Sequence, residues 1–313
     1  MTMDDVAVND AAVDSPAAVE GRALLFGVNL GREPSPAVPG AARAAEEAGF
    51  DLVTAADHLG APSPFAMLAT AAAVTTRVRL RTYVLDAGFW NPALLAREAA
   101  TLDALSGGRL DLGLGAGHKR AEHVDAGLPF PPLAARVTGL EATLGEVRRR
   151  LADPGHRPVP VQQPVPLVIG GWGERTLAVA ARHADVIALT GSVQVPGKPA
   201  GTLRLAGAAE TAERLALLDR LLAAAGRPRP VLDALLQWVI VDRPPEQAAE
   251  ELAASWEGVT AEQLLDSPFL LLAADAEQAA EELVRRSRWT GITSWATHTH
   301  SAGAFAEVLR QFR

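Results

Sequence analysis

The order of predicted strands and helices is the feature that most constrains the fold of this 313-residue chain. Short apolar stretches alternate with stretches in which apolar residues recur every three or four positions. The first pattern is typical of buried strands and the second of helices packed on one face. Eight strands, each followed by a helix, favour a closed (β/α)8 TIM barrel over an open sheet. The predicted strands are residues 23–30, 50–59, 77–87, 110–117, 165–173, 185–190, 234–241 and 291–298.

The segment between the third and fourth strands shows a helix start and a strand with unusual glycines. Pro92 fixes φ where a helix begins, and Asn91 before it is a competent N-cap. In the fourth strand, leucines then alternate with polar residues and glycines. A glycine weakens a strand, so it marks a place where backbone or ligand comes close. We interpret Gly113 as a packing residue, and Gly115 and Gly117, at the carboxyl end, as positions approached by a ligand.

Composition excludes several classes of function. The formal charge of −8 argues against nucleic acid or an anionic membrane as the main partner. The absence of cysteine excludes disulfides, thiolate nucleophiles and thiolate-bound metals. No apolar run approaches the ~20 residues of a membrane helix, and the aspartate-rich start lacks the basic residues of a signal peptide. We therefore expect a cytoplasmic enzyme with a small-molecule substrate, a disordered tail over residues 1–22, and one domain over 23–313.

Candidate site residues follow from the rule that barrel enzymes place function at the carboxyl ends of strands. Asp57 and His58 end the second strand, where their side chains would reach the barrel mouth. The glycine-rich turn at 170–175 separates the fifth strand from its helix, so its backbone N–H groups and the helix N-terminus could hold a phosphate. A plain tight turn is the alternative, since both the P-loop and the dinucleotide fingerprint are missing. The loops at 31–39, 59–63, 118–134 and 191–207 would set specificity.

From Phe26 to about Phe312 the chain resembles the bacterial luciferase-like family of flavin- and deazaflavin-dependent oxidoreductases. The order and spacing of several matching pieces make chance resemblance unlikely. These pieces are GVNL, AEEAGFD, ADHL, NPALLAREAATLDALSGGRLDLGLGAG, the run Val165 to Gly173, ARHADVIALTG and AEQAAEELVRR. Within the family, the chain is most similar to the actinobacterial branch that depends on coenzyme F420.

The resemblance implies a set of site residues. His58 would lie near the reactive face of the deazaflavin ring, and Asp57 would orient His58 or make a structural hydrogen bond. A non-prolyl cis peptide, Tyr83–Val84, would lie behind the ring. The predicted cofactor-binding residues are Tyr83, Val84, Asn91, Gly115, Gly117, His118, Gly170, Gly171, Trp172, Gly173, Arg175 and Thr190. The aromatic residues Phe89, Trp90, Phe130 and Trp172 would line a pocket if they converge.

The function implied is hydride transfer between F420 and an unidentified small organic substrate. An FMN-dependent monooxygenase and a flavin-binding protein without catalysis remain alternatives, and many relatives are homodimers. His118 stands where sugar-phosphate-oxidising relatives carry a glutamate, so that substrate is not carried over, while Glu122 is a candidate polar group for the same pocket. His298 and His300 share a strand face, but no carboxylate set completes a metal site, so none is predicted.

Overall fold

The computed structural model describes residues 18–19, 21–31, 34–195, 197, 202–256 and 258–313. Eight parallel strands close into a barrel in sequence order, with the third strand hydrogen-bonded to the fourth and the eighth to the first. The predicted (β/α)8 TIM barrel is confirmed. The barrel strands are β1 (Leu25–Asn29), β2 (Leu52–Ala55), β3 (Arg79–Thr82, continued by Leu85–Asp86), β4 (Leu110–Gly115), β5 (Leu167–Gly171), β6 (Val186–Leu189), β7 (Val231–Leu236) and β8 (Ile292–His298).

The helices cover the outside of the barrel and pack apolar faces onto the strands. Most of their buried side chains join one large cluster with residues of the sheet, whereas those of α8 and α9 form a separate, smaller cluster with Leu270 and Leu272. No helix in the described residues is long and apolar enough to cross a membrane. The helices are α1 (Val38–Ala48), α2 (Pro64–Val74), α3 (Pro92–Ser106), α4 (Arg120–Asp125), α5 (Leu133–Leu151), α6 (Glu174–His183), α7 (Ala208–Ala224), α8 (Pro245–Ser255), α9 (Ala261–Asp266), α10 (Ala276–Thr290) and α11 (Ala302–Leu309).

Three local predictions were wrong. The seventh strand is β7, whereas Val239–Ile240 leaves the barrel and pairs with Leu271–Leu272. The apolar run over both segments hid the break between them. The loop predicted at 191–207 contains an antiparallel pair of strands, Ser192–Gln194 with Leu203–Leu205. The loop predicted at 118–134 contains α4.

Most of the predicted disordered tail lies outside the described residues. Its end is described: Ala18–Val19 pairs with Arg22–Ala23 in an antiparallel ladder. The Arg22 guanidinium donates to the backbone carbonyls of Arg229 and Pro230 at 3.0 and 3.1 Å, just before β7. Contacts with the body of the protein therefore begin before residue 23.

A buried ionic cluster spans the barrel interior. Arg81 of β3 donates to Asp233 of β7 at 2.7 Å and to Asp111 of β4 at 3.0 Å. All three side chains are almost completely buried. Burial alone would lower the pKa of Arg81, but the two carboxylates raise it overall. The guanidinium therefore stays charged and joins three strands of the barrel.

Tyr83 extends this cluster towards the barrel mouth. Its hydroxyl donates to Asp233 at 2.6 Å, and Ser294 of β8 donates to the same carboxylate. Burial and the neighbouring carboxylate raise the pKa of Tyr83 well above its usual value. The phenol is therefore a fixed neutral donor rather than a titrating group.

Replacing Arg81 with methionine should destabilise the fold by about 3–5 kcal/mol, because it leaves the buried Asp233 carboxylate without its cation and leaves Asp111 with Arg79 alone. Chemical denaturation followed by circular dichroism measures this loss. The control Glu98→Gln removes an exposed ion pair with Arg97 and should leave the midpoint unchanged. Equal midpoints for Arg81→Met and the unmodified protein would contradict the role given to the cluster.

Replacing either of two glycines with alanine should change the free energy of unfolding, and the two changes should have opposite signs. A Cβ on Gly113 would lie 2.0 Å from the carbonyl oxygen of Thr82, so Gly113→Ala should cost about 1–3 kcal/mol of unfolding free energy. Gly139 lies exposed in α5 with no atom within 4 Å of the same position. Gly139→Ala should stabilise by about 0.5–1 kcal/mol, because alanine is the better helix former. Chemical denaturation of both variants measures the two changes. If both variants were stabilised, or both destabilised, the prediction would be wrong.

Candidate functional site

One cavity of about 750 Å³ opens at the carboxyl ends of the barrel strands. Its size lies within the usual range for a small-molecule site. All eight strands contribute to its wall, through residues of the strand itself or, at β2, through the residues directly after it. Among the lining residues are Asn29, Asp57, His58, Tyr83, Val84, Gly115, Gly117, His118, Lys119, Glu122, Gly170, Gly171, Trp172, Thr190, Gln237 and His298.

His58 follows β2 and forms a hydrogen bond across the mouth with Glu122 of α4. Its Nδ1 lies 3.1 Å from Glu122 Oε1 and 3.2 Å from Oε2. Lys119 Nζ approaches the same carboxylate at 3.1 Å. Burial would raise the pKa of Glu122, but the hydrogen bonds from His58 and Lys119 lower it overall. The mouth thus carries an imidazole held by an ionised carboxylate.

Asp57 lies beside His58 in sequence but bonds elsewhere. Its Oδ2 accepts from Trp90 Nε1 at 2.9 Å and from the backbone N–H of Asp86 at 3.3 Å. Burial raises the pKa of Asp57, against the effect of these two donors. Of the two roles expected for Asp57, the geometry matches the structural hydrogen bond. The partner that orients His58 is Glu122.

Val84 occupies the interruption in β3, and the peptide bond between Tyr83 and Val84 is cis, as predicted. The Val84 side chain lies between Gly115 of β4 and Gly170 of β5. A Cβ on Gly115 would come within 2.9 Å of Val84, and one on Gly170 within 2.8 Å. These glycines are therefore required by protein packing, whether or not a ligand is bound. Both line the cavity, so their contact with a ligand stays a prediction.

Gly117 adopts a left-handed backbone with φ of 71°. A Cβ there would lie 2.1 Å from Asp86 Oδ2, so a side chain would meet both backbone strain and a clash. His118 follows on the cavity wall, with its ring packed edge-on against His58 at a centroid distance of 5.7 Å. The turn after β4 therefore places a second imidazole beside the first.

The glycine-rich turn after β5 divides into two parts. Gly170, Gly171 and Trp172 line the cavity, and Trp172 packs edge-on against Phe269 at 5.6 Å. Gly173 is the N-cap of α6, and Arg175 is exposed in its first turn; neither lines the cavity. Thr190, after β6, does line it.

Asn91 lies outside the residues that line the cavity. It is the N-cap of α3, and its Oδ1 accepts from the backbone N–H of Ala93 at 2.9 Å. This is the local role that the Asn-Pro pattern predicts, and nothing in the placement supports the ring contact. Of the four predicted pocket aromatics, only Trp172 lines the cavity.

Strand-end reasoning missed several lining residues, and two of them are polar side chains at strand ends. Asn29 ends β1, so the strand-end rule applied to that strand would have found it. Gln237 follows β7 and was hidden because the predicted strand ran on to residue 241. It contacts both rim histidines: its side-chain oxygen lies 3.4 Å from His298 Nε2, and its carbonyl lies 3.1 Å from His300 Nε2.

Comparison with known proteins places this geometry in a family. The sequence model of the luciferase-like monooxygenase family matches residues 25–312. The chain belongs to the luciferase-like monooxygenase family. This confirms the predicted family and, with it, the oxidoreductase class.

Individual relatives of this luciferase-like protein include both uncharacterized and named proteins. An uncharacterized protein of Mycobacterium tuberculosis is 30% identical over 226 residues, covering 63% of this chain and 75% of that protein. The F420-dependent glucose-6-phosphate dehydrogenase of Microbacterium testaceum is 30% identical over 237 residues, covering 68% and 66%. The solved structure of an F420-dependent secondary alcohol dehydrogenase with an F420-acetone adduct has a TM-score of 0.74 at 19% identity, covering 93% and 99%. At that identity, the structural likeness shows the fold alone.

The histidines at the rim of this luciferase-like barrel do not form a metal site. His298 and His300 stack with ring centroids 5.4 Å apart. Across the part of the chain that the structure describes, no group of three or more histidine, aspartate or glutamate side chains is arranged to hold a metal ion.

His118 should titrate below the ordinary histidine pKa of 6.5, because burial and the nearby charges of His58 and Lys119 disfavour its cation. The neutral ring is then favoured in the fold, so this group lowers stability as pH falls below 6.5. Lys119→Met should raise the pKa of His118, whereas Lys119→Arg should leave it low. Imidazole proton shifts measured against pH give the values, and a His118 pKa at or above 6.5 in the unmodified protein would contradict the prediction.

Proposed function

We propose that the protein is an F420-dependent oxidoreductase that transfers a hydride between the deazaflavin and a small organic substrate. The observation that carries the proposal is a single cavity that joins the His58–Glu122 pair to the glycine turn after β5. The relatives named as F420-dependent glucose-6-phosphate dehydrogenases support the choice of cofactor. Glucose 6-phosphate itself is not proposed as the substrate.

The cavity fits a bound cofactor in size and in the chemistry of its wall. On one side, the backbone of Gly170 and Gly171 and the hydroxyl of Thr190 are available to phosphate oxygens. The N-terminus of α6 begins beside that turn with no side-chain cap on its N–H groups, an arrangement that favours an anion. We assign the phosphate to this side, and the ring to the wall formed by Val84, Gly115 and His118.

The protein residues then have distinct tasks. F420 supplies the hydride chemistry when bound, and the chain supplies orientation and a proton carrier. His58 is the group proposed to exchange that proton, because it lines the cavity and an imidazole can both accept and donate a proton. Asp57 fixes the loop beneath it through Trp90.

An FMN-dependent monooxygenase is the second candidate. The matching family model describes luciferase-like monooxygenases, and the same cavity would hold the flavin. That reaction needs oxygen and a source of reduced flavin, whereas the F420 reaction needs neither. A flavin-binding protein without catalysis is the third candidate.

Equilibrium binding of F420 and of FMN, measured in parallel by fluorescence quenching, separates the candidates. Tight F420 binding with weak FMN binding supports the proposal, and the opposite preference supports the monooxygenase. Binding of neither cofactor would contradict both assignments. Binding without turnover across a panel of alcohols, ketones and enones would favour the non-catalytic protein.

Thr190→Val should weaken binding of the preferred cofactor by about 5- to 50-fold, because it removes a hydroxyl donor from the phosphate side. Thr138→Val is the matched control, since that hydroxyl bonds a backbone carbonyl in α5 and is exposed. Titration of both variants by the same quenching measurement tests the assignment. Equal cofactor affinities of Thr190→Val and Thr138→Val would show that the Thr190 hydroxyl does not bind the phosphate.

Two further expectations stay proposals. A homodimer is expected from the resemblance, and sedimentation or size-exclusion with light scattering measures it. A cytoplasmic location is expected from the composition, and cell fractionation tests it.

A further inference from the structure

The contact between His58 and Glu122 joins two parts of the chain that are 64 residues apart. An ionised carboxylate only accepts hydrogen bonds, so the imidazole Nδ1 must be the donor. The neutral ring is then held with its proton on Nδ1 and its lone pair on Nε2. Within the described residues, no hydrogen bond of Nε2 competes with this arrangement.

The surroundings keep Glu122 able to do this. Its side chain is only 13% exposed, and Lys119 contributes a second hydrogen bond and a positive charge at 3.1 Å. Both partners favour the ionised form of the carboxyl. The acceptor at Nδ1 is therefore an anion rather than a neutral acid.

The helix that carries Glu122 is anchored by the next residue. His123 is 1% exposed, and its Nε2 lies 2.9 Å from Asp86 Oδ2 at the end of β3. Phe89 and Phe130 pack against its ring at centroid distances of 4.8 and 5.0 Å. The position of Glu122 is thus set by the buried contacts of His123, which does not itself line the cavity.

The other ionisable groups around His58 do not take this role. Asp57, its neighbour in sequence, has its carboxylate engaged by Trp90 and the Asp86 backbone. Lys119 is a cation and bonds Glu122, and the His118 ring packs edge-on against His58 without a hydrogen bond. Glu122 is the group that can fix the ring orientation.

We propose that Glu122 is a positioning residue that holds His58 with Nε2 as the proton acceptor towards the substrate. This rests on the proposed function, because it assigns a role in the same cavity. In the oxidative direction, the substrate carbon loses a hydride to the cofactor, and the proton on the adjoining heteroatom passes to His58 Nε2. The carbon–heteroatom bond becomes double, and the reverse sequence returns both.

The first test reads the tautomer of His58 directly, in protein without cofactor. Long-range proton–nitrogen NMR spectra, recorded well above the ordinary histidine pKa, distinguish a protonated from a bare ring nitrogen. The seven histidines are separated by comparison with His58→Gln, which lacks the relevant signals. We expect Nδ1 protonated and Nε2 bare in the unmodified protein, and a shift towards protonated Nε2 in Glu122→Ala.

Asp125→Asn is the matched control, since Asp125 is an exposed carboxylate on the same short helix. It should leave the His58 pattern unchanged. A His58 proton on Nε2 in the unmodified protein would overturn the proposal, even if Glu122→Ala fails to fold. An unchanged pattern in folded Glu122→Ala would overturn it as well.

The second test separates this inference from the proposed function. With the preferred cofactor and a substrate found by screening, Glu122→Ala should lower kcat by about 10- to 100-fold with little change in KM. Asp125→Asn should match the unmodified protein. Absence of turnover in the unmodified protein would count against the proposed function alone, because the tautomer measurement still decides the role of Glu122. Normal kcat in Glu122→Ala would count against Glu122 alone.

Discussion

The Arg81 guanidinium bonds the carboxylates of Asp111 on β4 and Asp233 on β7 inside the barrel, and the wall of the cavity depends on these ion pairs. A charge removed from water is tolerated only when it is paired and hydrogen-bonded, so neither Arg81 nor Asp233 is stable there alone. Asp233 also accepts a hydrogen bond from Tyr83, which lies two residues after Arg81 and lines the cavity. The buried ionic cluster thus fixes the side chain of Tyr83, a residue of the cavity wall.

The shape of β3 then dictates the residues on its neighbours. Thr82 approaches β4 so closely that only glycine fits at position 113. Val84 fills the space between Gly115 of β4 and Gly170 of β5. Glycines that suggest a ligand in the sequence are thereby explained, in part, by a side chain of the protein itself. Gly115 and Gly170 line the cavity all the same.

Periodicity predicted the barrel well because each strand is short, buried and followed by a helix with its own period. The strand-end rule also identified His58 correctly as a cavity residue. It failed at β7, where apolar residues on both sides of Gln237 conceal the point at which Val239 leaves the barrel. It also assigned Gly173 and Arg175 to a phosphate site, although the chain turns into α6 before they reach the cavity wall.

The local N-cap rule outperformed the family resemblance at Asn91. A residue before proline at a helix start satisfies the free N–H groups of the first turn, and Asn91 does this. This hydrogen bond joins residues that are close in sequence, so the dipeptide Asn91-Pro92 is enough to predict it. The contact between His58 and Glu122 has no such local signal, because it depends on where His123 anchors α4.

Asp57 and His58 show why adjacency in sequence is a poor guide to a catalytic pair. Both residues lie after the end of β2 and both line the cavity, but their side chains bond different partners. Asp57 accordingly bonds Trp90 beneath the mouth, and the raised pKa of its carboxyl reflects that burial. A partner for the imidazole must come from a segment that crosses the mouth from another strand end. The loop after β4 makes this crossing, and its short helix presents Glu122 to His58.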